Sequence, residues 1–205
     1  MQGNKSYWTI LALLSCLLLS TSVRAAGPVS GQILGGSTDA PIRIEVFSDF
    51  ECPSCRELYL DVMRRVLADY SSKNKVCVIY HEYPLSIHRY SRDAARYAEA
   101  ASQLGREKLL RVYDAFFMDQ AKWSQDGNLE ASLAKVLSRG DIQMLKNVMG
   151  DPGINAAVEK EIGLGMQKGI RSTPTFFVYA RGKEQKVEGR LTYVAMQQFI
   201  DATLR

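Results

Sequence analysis

The sequence has no block of like charges, no internal repeat and no low-complexity tract. A net charge of +4 over 205 residues gives no basic face for a nucleic acid, and the scattered Lys and Arg read as a solvated surface. Long apolar runs are also missing. The longest, Tyr7 to Leu19, falls short of the roughly 20 residues that a spanning helix needs. Histidine and cysteine are scarce, at two and four. A structural zinc site takes about four ligands. No second CxxC accompanies Cys52-Pro53-Ser54-Cys55, and the other candidates are Cys77, His81 and His88. Cys77 and His81 fall in a segment that reads as a buried strand, so a metal-binding carrier is the weaker alternative.

The N-terminus has the pattern of an export signal. Lys5 supplies a short positive region, Tyr7 to Leu19 the apolar stretch, and Val23-Arg24-Ala25 a small-residue cleavage site. Cys16 follows Leu13-Leu14-Ser15, as in a lipoprotein, but apolar Leu17-Leu18-Leu19 follow where a lipidated chain would begin. Removal of residues 1–25 leaves Cys52, Cys55 and Cys77. Export implies an oxidising compartment, in which vicinal thiols can be kept oxidised.

Gly27 to Ala40 is rich in Gly, Ser and Pro, with one short strand expected around Gly31 to Leu34. Ile42 to Phe47 is β-branched and apolar and reads as a strand. A turn through Ser48-Asp49-Phe50-Glu51 leads to a helix with Leu58, Tyr59, Val62, Met63, Val66 and Leu67 at helical spacing. Pro53 suits its first turn, where the missing N–H is no loss. Lys75 to Tyr83 is a second strand. Helices are expected over Ser91–Leu104, Arg106–Asp119, Asn128–Ser138 and Asp141–Met149, with another from Asp151-Pro152 towards Gly169. Trp123 falls in a loop of this reading. Thr175–Tyr179 and Lys183–Glu188 form a hairpin, and Thr192 caps a last helix with Val194, Met196, Phe199, Ile200 and Leu204 inward. Cys77 reads as a buried thiol, His81 as a packed strand histidine and His88 as a structural or capping residue.

The CxxC therefore lies where a strand gives way to a helix. Unpaired N–H groups and the macrodipole at a helix N-terminus stabilise a thiolate, the attacking species in disulfide exchange. Cys52 sits at the helix mouth, and Cys55 lies one turn on. A loop this small constrains an unfolded chain little, so a purely structural bridge is disfavoured. Redox exchange is the favoured reading of the pair. Ser54 and Arg56 are expected to favour the Cys52 thiolate, and Asp49 and Glu51 to oppose it.

Three stretches together, "DAPIRIEVFSDFECPSC", "EYPLSIH" and "GIRSTPTFFV", resemble the DsbA-type thiol–disulfide oxidoreductases, from about Asp39 to the C-terminus. The resemblance implies an α/β, thioredoxin-like fold with a helical insertion between the second and third core strands. With the signal peptide read over 1–25 and the extended lead-in over 26–40, it implies one domain over 41–205 with the insertion at about 88–168. It implies Cys52 as nucleophile and Cys55 as resolving thiol, with Pro53 and Ser54 between them. Pro174 would be a cis-proline facing the pair, and Thr173 would pair its backbone with a substrate. The expected function is a monomeric periplasmic oxidase without cofactor or metal. It would donate the Cys52–Cys55 disulfide to reduced exported polypeptides and be recharged by a membrane quinone-linked partner. A reductase or isomerase of the same fold is the alternative. One departure stands out. Many relatives carry an acid six residues before the first cysteine, where this chain has Val46 with Glu45 beside it, and strand alternation points those two to opposite faces.

Overall fold

The computed structural model describes residues 30–205. The expected signal peptide and the first residues of the lead-in lie outside this range.

Five strands form one sheet in the order β1-β3-β2-β4-β5. They are β1 (Gln32–Gly35), β2 (Ile42–Ser48), β3 (Val76–Glu82), β4 (Thr175–Ala180) and β5 (Lys183–Glu188). β2 and β3 run parallel, from Ile42 opposite Val76 to Ser48 opposite Glu82. The other pairings are antiparallel. β3 is buried along its whole length, as an apolar run covered on both faces must be. β5 closes one edge with mostly charged, exposed residues, which blunts it against pairing with another chain.

Helix α1 (Pro53–Glu57) follows β2 directly. It continues through a π-helical segment, Leu58–Met63, into α2 (Arg64–Asp69), a feature that spacing alone does not announce. Between β3 and β4 stand α3 (Ser91–Gln103), α4 (Arg106–Met118), α5 (Gln120–Asp126), α6 (Leu129–Leu133), α7 (Arg139–Met149) and α8 (Pro152–Gln167). These six helices form the insertion, and α9 (Tyr193–Leu204) packs against the π-helical segment and α2. The main core runs from β2 and β3 through the first helix to the aromatic residues of α4.

Three local expectations are corrected. Residues 120–126 are a helix rather than a loop, and Trp123 is fully buried there, its Nε1–H donating to Phe116 O at 2.7 Å. The helix expected over Asn128–Ser138 stops at Leu133. Ser138 instead adopts an extended conformation and caps α7, accepting from Asp141 N–H at 3.1 Å. Val194 is exposed, because Tyr193 rather than Val194 shares the inward stripe of Met196 and Ile200. Gly165 has a packing reason to interrupt the composition of α8: a Cβ there would run into the ring of Tyr83.

Candidate active site

β2 delivers the chain to the sheet's end, and Ser48 to Cys52 turn it into α1. Cys52 is the N-cap residue of α1, extended at φ −72° and ψ 119°, and Pro53 fills the first helical position. Both thiols are free. Cys52 retains 8% exposure and Cys55 only 1%, so Cys52 is the less buried of the two.

Asymmetric surroundings split the two thiols. The Cys52 pKa is lowered to about 6. The main cause is a hydrogen bond from Cys55. Burial opposes it, and Thr173 and the backbone N–H groups of Cys55 and Ser54 assist it. Burial, together with the negative charge of Cys52, pushes Cys55 well above the ordinary thiol range. Such a pair holds one thiolate and one thiol at neutral pH. Ser54 contributes through its backbone N–H. Arg56 turns to the insertion, its Nε–H donating to Phe117 O at 3.0 Å.

From the far side of the chain, the loop before β4 brings Thr173 O to 3.3 Å from Cys52 Sγ. The Thr173–Pro174 bond is cis. Gly189 N–H donates to Pro174 O at 2.8 Å and ties the loop to the end of β5. Cys52, Cys55, Thr173 and Pro174 thus share one site, although 121 residues separate Cys52 from Thr173.

Asp49 and Glu51 do not act as expected. The Asp49 side chain has no solvent exposure. Its carboxylate accepts from Glu51 N–H at 2.8 Å and Leu85 N–H at 2.7 Å, and from the Ser91 hydroxyl, and lies 2.8 Å from His88 Nδ1. Glu51 accepts from Tyr90 N–H at 2.6 Å, with the Ser91 hydroxyl oxygen 3.1 Å away. Both carboxylates are spent on the loop before α3. The Asp49 backbone serves the cysteines instead: its carbonyl accepts from Cys52 N–H at 3.1 Å, and its N–H donates to Cys55 Sγ at 3.4 Å. His88 is one arm of this clamp.

Val46 and Glu45 do face opposite ways. Val46 lies in the main core. Glu45 joins Arg43 at 2.9 Å and His81 at 3.7 Å on the other face. Burial pushes the Glu45 carboxyl up, but His81, Arg43 and Lys168 together hold it below its ordinary value. His81 stacks on Phe47 with centroids 4.5 Å apart and pairs with Glu161. The buried acid on the cysteine side is Glu82, on β3. Burial drives its carboxyl well above the usual range, while the Tyr113 hydroxyl donates to it. Tyr80, two residues before it on the same face, is raised mainly by its own burial and further by the charges of Tyr59, Cys55 and Glu82. Strand alternation carried the signal for Glu82, since it shares a face with Val76, Val78 and Tyr80. Gln120, which reaches the active-site loop from α5, had no signal. Cys77 is buried on β3 away from this site, and among the described residues no group of three or more His, Cys, Asp and Glu is placed to hold a metal.

A thiol pair at the N-terminus of the helix after a central strand, with a proline loop opposite, defines a thioredoxin-fold thiol–disulfide oxidoreductase. A family model described as Thioredoxin matches residues 29–202. The chain is 25% identical over 147 residues to the probable disulfide bond formation protein D of Bacillus cereus, a match spanning 70% of this chain and 68% of that one. Alpha-DsbA1 of Wolbachia pipientis superposes with a TM-score of 0.69 at 19% identity, over 86% of this chain and 92% of that one. A thioredoxin-like oxidoreductase from Silicibacter pomeroyi gives a TM-score of 0.65 at 26% identity, over 82% and 88%. The chain belongs to the thioredoxin family.

Proposed function

We propose that the protein is an exported oxidase that passes a Cys52–Cys55 disulfide to reduced polypeptides in the periplasm. The observation that carries this reading is the placement of Cys52 as N-cap of α1, with Thr173 O of the cis-proline loop 3.3 Å from its sulfur and Cys55 buried one turn on. A substrate thiolate attacks Sγ of Cys52, the less buried cysteine. The Cys52–Cys55 bond breaks, and its electron pair leaves on Cys55, which takes up a proton. The substrate's second thiolate then attacks the substrate sulfur of the mixed disulfide. Cys52 departs as a thiolate, and its low pKa makes it a good leaving group. Two electrons pass from substrate to protein, and the substrate gains its disulfide. The Thr173 backbone, facing Cys52, pairs with the substrate in extended form, and Pro174 holds that loop against the site. Recharging falls to a membrane quinone-linked partner. Residues 1–25 act as the signal peptide, and the protein works as a monomer.

The reduction potential of the Cys52–Cys55 couple tests the direction of exchange. Thioredoxin combines a thiol pKa of about 7 with about −270 mV, and DsbA about 3.5 with about −120 mV. A lowered Cys52 pKa predicts a couple between these two, a milder oxidant than DsbA. Equilibration with glutathione reads its potential. A potential at or below that of thioredoxin would replace the oxidase reading with the reductase one.

A further inference from the structure

From α5 the insertion reaches the backbone carbonyls of the redox loop with a polar side chain. Gln120 is the first residue of α5 and is 5% exposed. Its Nε2 donates to Phe50 O at 2.6 Å and to Cys52 O at 3.0 Å. A side-chain amide carries two N–H bonds on one nitrogen, so each carbonyl receives its own hydrogen. Both partners are acceptors only, which fixes the amide orientation with the NH2 towards the loop. The two carbonyls belong to the peptide units on either side of the Glu51–Cys52 segment. Holding both planes fixes the extended conformation at Cys52, from which its sulfur meets the N–H groups of Ser54 and Cys55.

We propose that Gln120 is a positioning residue for Cys52: by pinning Phe50 O and Cys52 O, it holds the Cys52 sulfur over the first N–H groups of α1 and so stabilises the thiolate. The neighbouring contacts act in the same sense. Arg56 reaches Phe117 O, and the Phe50 ring packs among Tyr113, Phe116 and Phe117 at centroid distances of 4.9, 5.4 and 4.9 Å. The apolar contacts place the loop on the insertion. At Cys52 the Asp49 carbonyl holds the N–H and Arg56 N–H shares Cys52 O, and Gln120 adds a hold from the insertion on Cys52 O and on Phe50 O. Sequence distance hides this link, because 68 residues separate Gln120 from Cys52.

The proposal rests on the reading of Cys52 as the exchanging sulfur, and the test separates the two. Gln120→Met keeps the volume and removes both donors. In reduced protein, thiolate absorbance against pH should show the Cys52 pKa rising by roughly half a unit to one unit. The thiolate-to-thiol ratio below the pKa would then fall about three- to tenfold. The reduction potential should move in the reducing direction by about 15–30 mV, at ~30 mV per tenfold. A purely structural role would lower the melting temperature and leave both readouts where they are, which would overturn the proposal. If Gln120→Met does not fold, Gln120→Glu replaces it. Its carboxylate cannot donate and adds a negative charge, so the pKa rise should exceed a whole unit, and an unchanged pKa would again overturn the proposal. A reducing potential in the unsubstituted protein would sink the oxidase reading alone, since the Gln120 effect is measured as a difference.

Discussion

The split thiol pair makes stability depend on pH in one redox state only. In the reduced protein, Cys52 titrates at about 6 instead of its ordinary 9.0. A depressed acid contributes stability that is fully present above the unfolded pKa and is lost as pH falls through the folded one. The window therefore runs from about pH 9 down to about pH 6. Integrated across it, three pKa units amount to ~4 kcal/mol. At pH 7 the folded thiol is about nine-tenths ionised and the unfolded one almost fully protonated. About 1.4 kcal/mol is then realised, with a slope of about 1.2 kcal/mol per pH unit. Cys55 does not blur the range below about pH 8: burial keeps it protonated in the fold, and in the unfolded chain an ordinary thiol titrates above that range. For a domain of this size, 1 kcal/mol is worth roughly 2–4 °C of melting temperature. Reduced protein should therefore gain about 2–5 °C per unit between pH 6.5 and 8, relative to oxidised protein in the same buffers. The oxidised form is the control, since it has every other titrating group and lacks only these two thiols. Paired thermal melts read by circular dichroism measure the difference. If reduced and oxidised proteins showed the same pH slope, Cys52 would not be a stabilised thiolate, and the electrostatic account of the site would be wrong.

Cys52→Ser should abolish disulfide transfer to a reduced test protein, whereas Cys55→Ser should accumulate mixed disulfides through Cys52, visible on non-reducing gels; full oxidase activity in Cys52→Ser would reassign the attacked sulfur. Cys77, fully buried and with its thiol pushed up by burial, should react with a thiol reagent only at the rate of unfolding. Rapid labelling of Cys77 in a Cys52→Ser, Cys55→Ser background would contradict its place in the core. Asp49→Asn should cost about 2–4 kcal/mol in urea denaturation of the oxidised protein, because an NH2 group would replace one acceptor facing N–H donors. A loss under ~0.5 kcal/mol would mean that the clamp carries little of the loop's stability.

The central strands and the redox helix were legible because their signals are local. Ile42–Phe47 alternates apolar residues with Arg43 and Glu45, and the centre of β3 is a continuous apolar run of the kind a doubly covered sheet accommodates. Asp151-Pro152 and Thr192 cap helices as their types predict: Asp151 accepts from Gly153 N–H at 2.8 Å, and Thr192 from Ala195 N–H at 3.2 Å. The misread segments are those where a distant partner decides. Residues 120–126 have no apolar period, and their helix exists because the insertion core takes Trp123 against Phe116. The helix from Asn128 ends early because Ser138 caps the next one and Arg111 takes the carbonyl of Val136 at 3.1 Å.

The site divides along the same line. Cys52, Cys55, Thr173 and Pro174 stand in short motifs whose types announce them. What tunes them does not. Asp49 and Glu51 flank the CxxC in the chain, and proximity in sequence suggests that their charge opposes the thiolate. In the fold both carboxylates turn the other way and are saturated by N–H and O–H donors from residues 85–91, with His88 beside Asp49, and neither figures among the causes of the Cys52 shift. The favourable contributions come from Cys55, from Thr173 and from the backbone N–H groups of Cys55 and Ser54, and the direction of those N–H groups follows from the angle at which the chain leaves β2. That angle is held from outside the motif, by Asp49 on one side and by the insertion on the other. Two chains with the same Cys-Pro-Ser-Cys could therefore differ in thiol pKa through residues far from it. If Gln120 positions Cys52 as proposed, the insertion sets part of the redox poise through the loop's backbone, beside the N–H groups of Ser54 and Cys55.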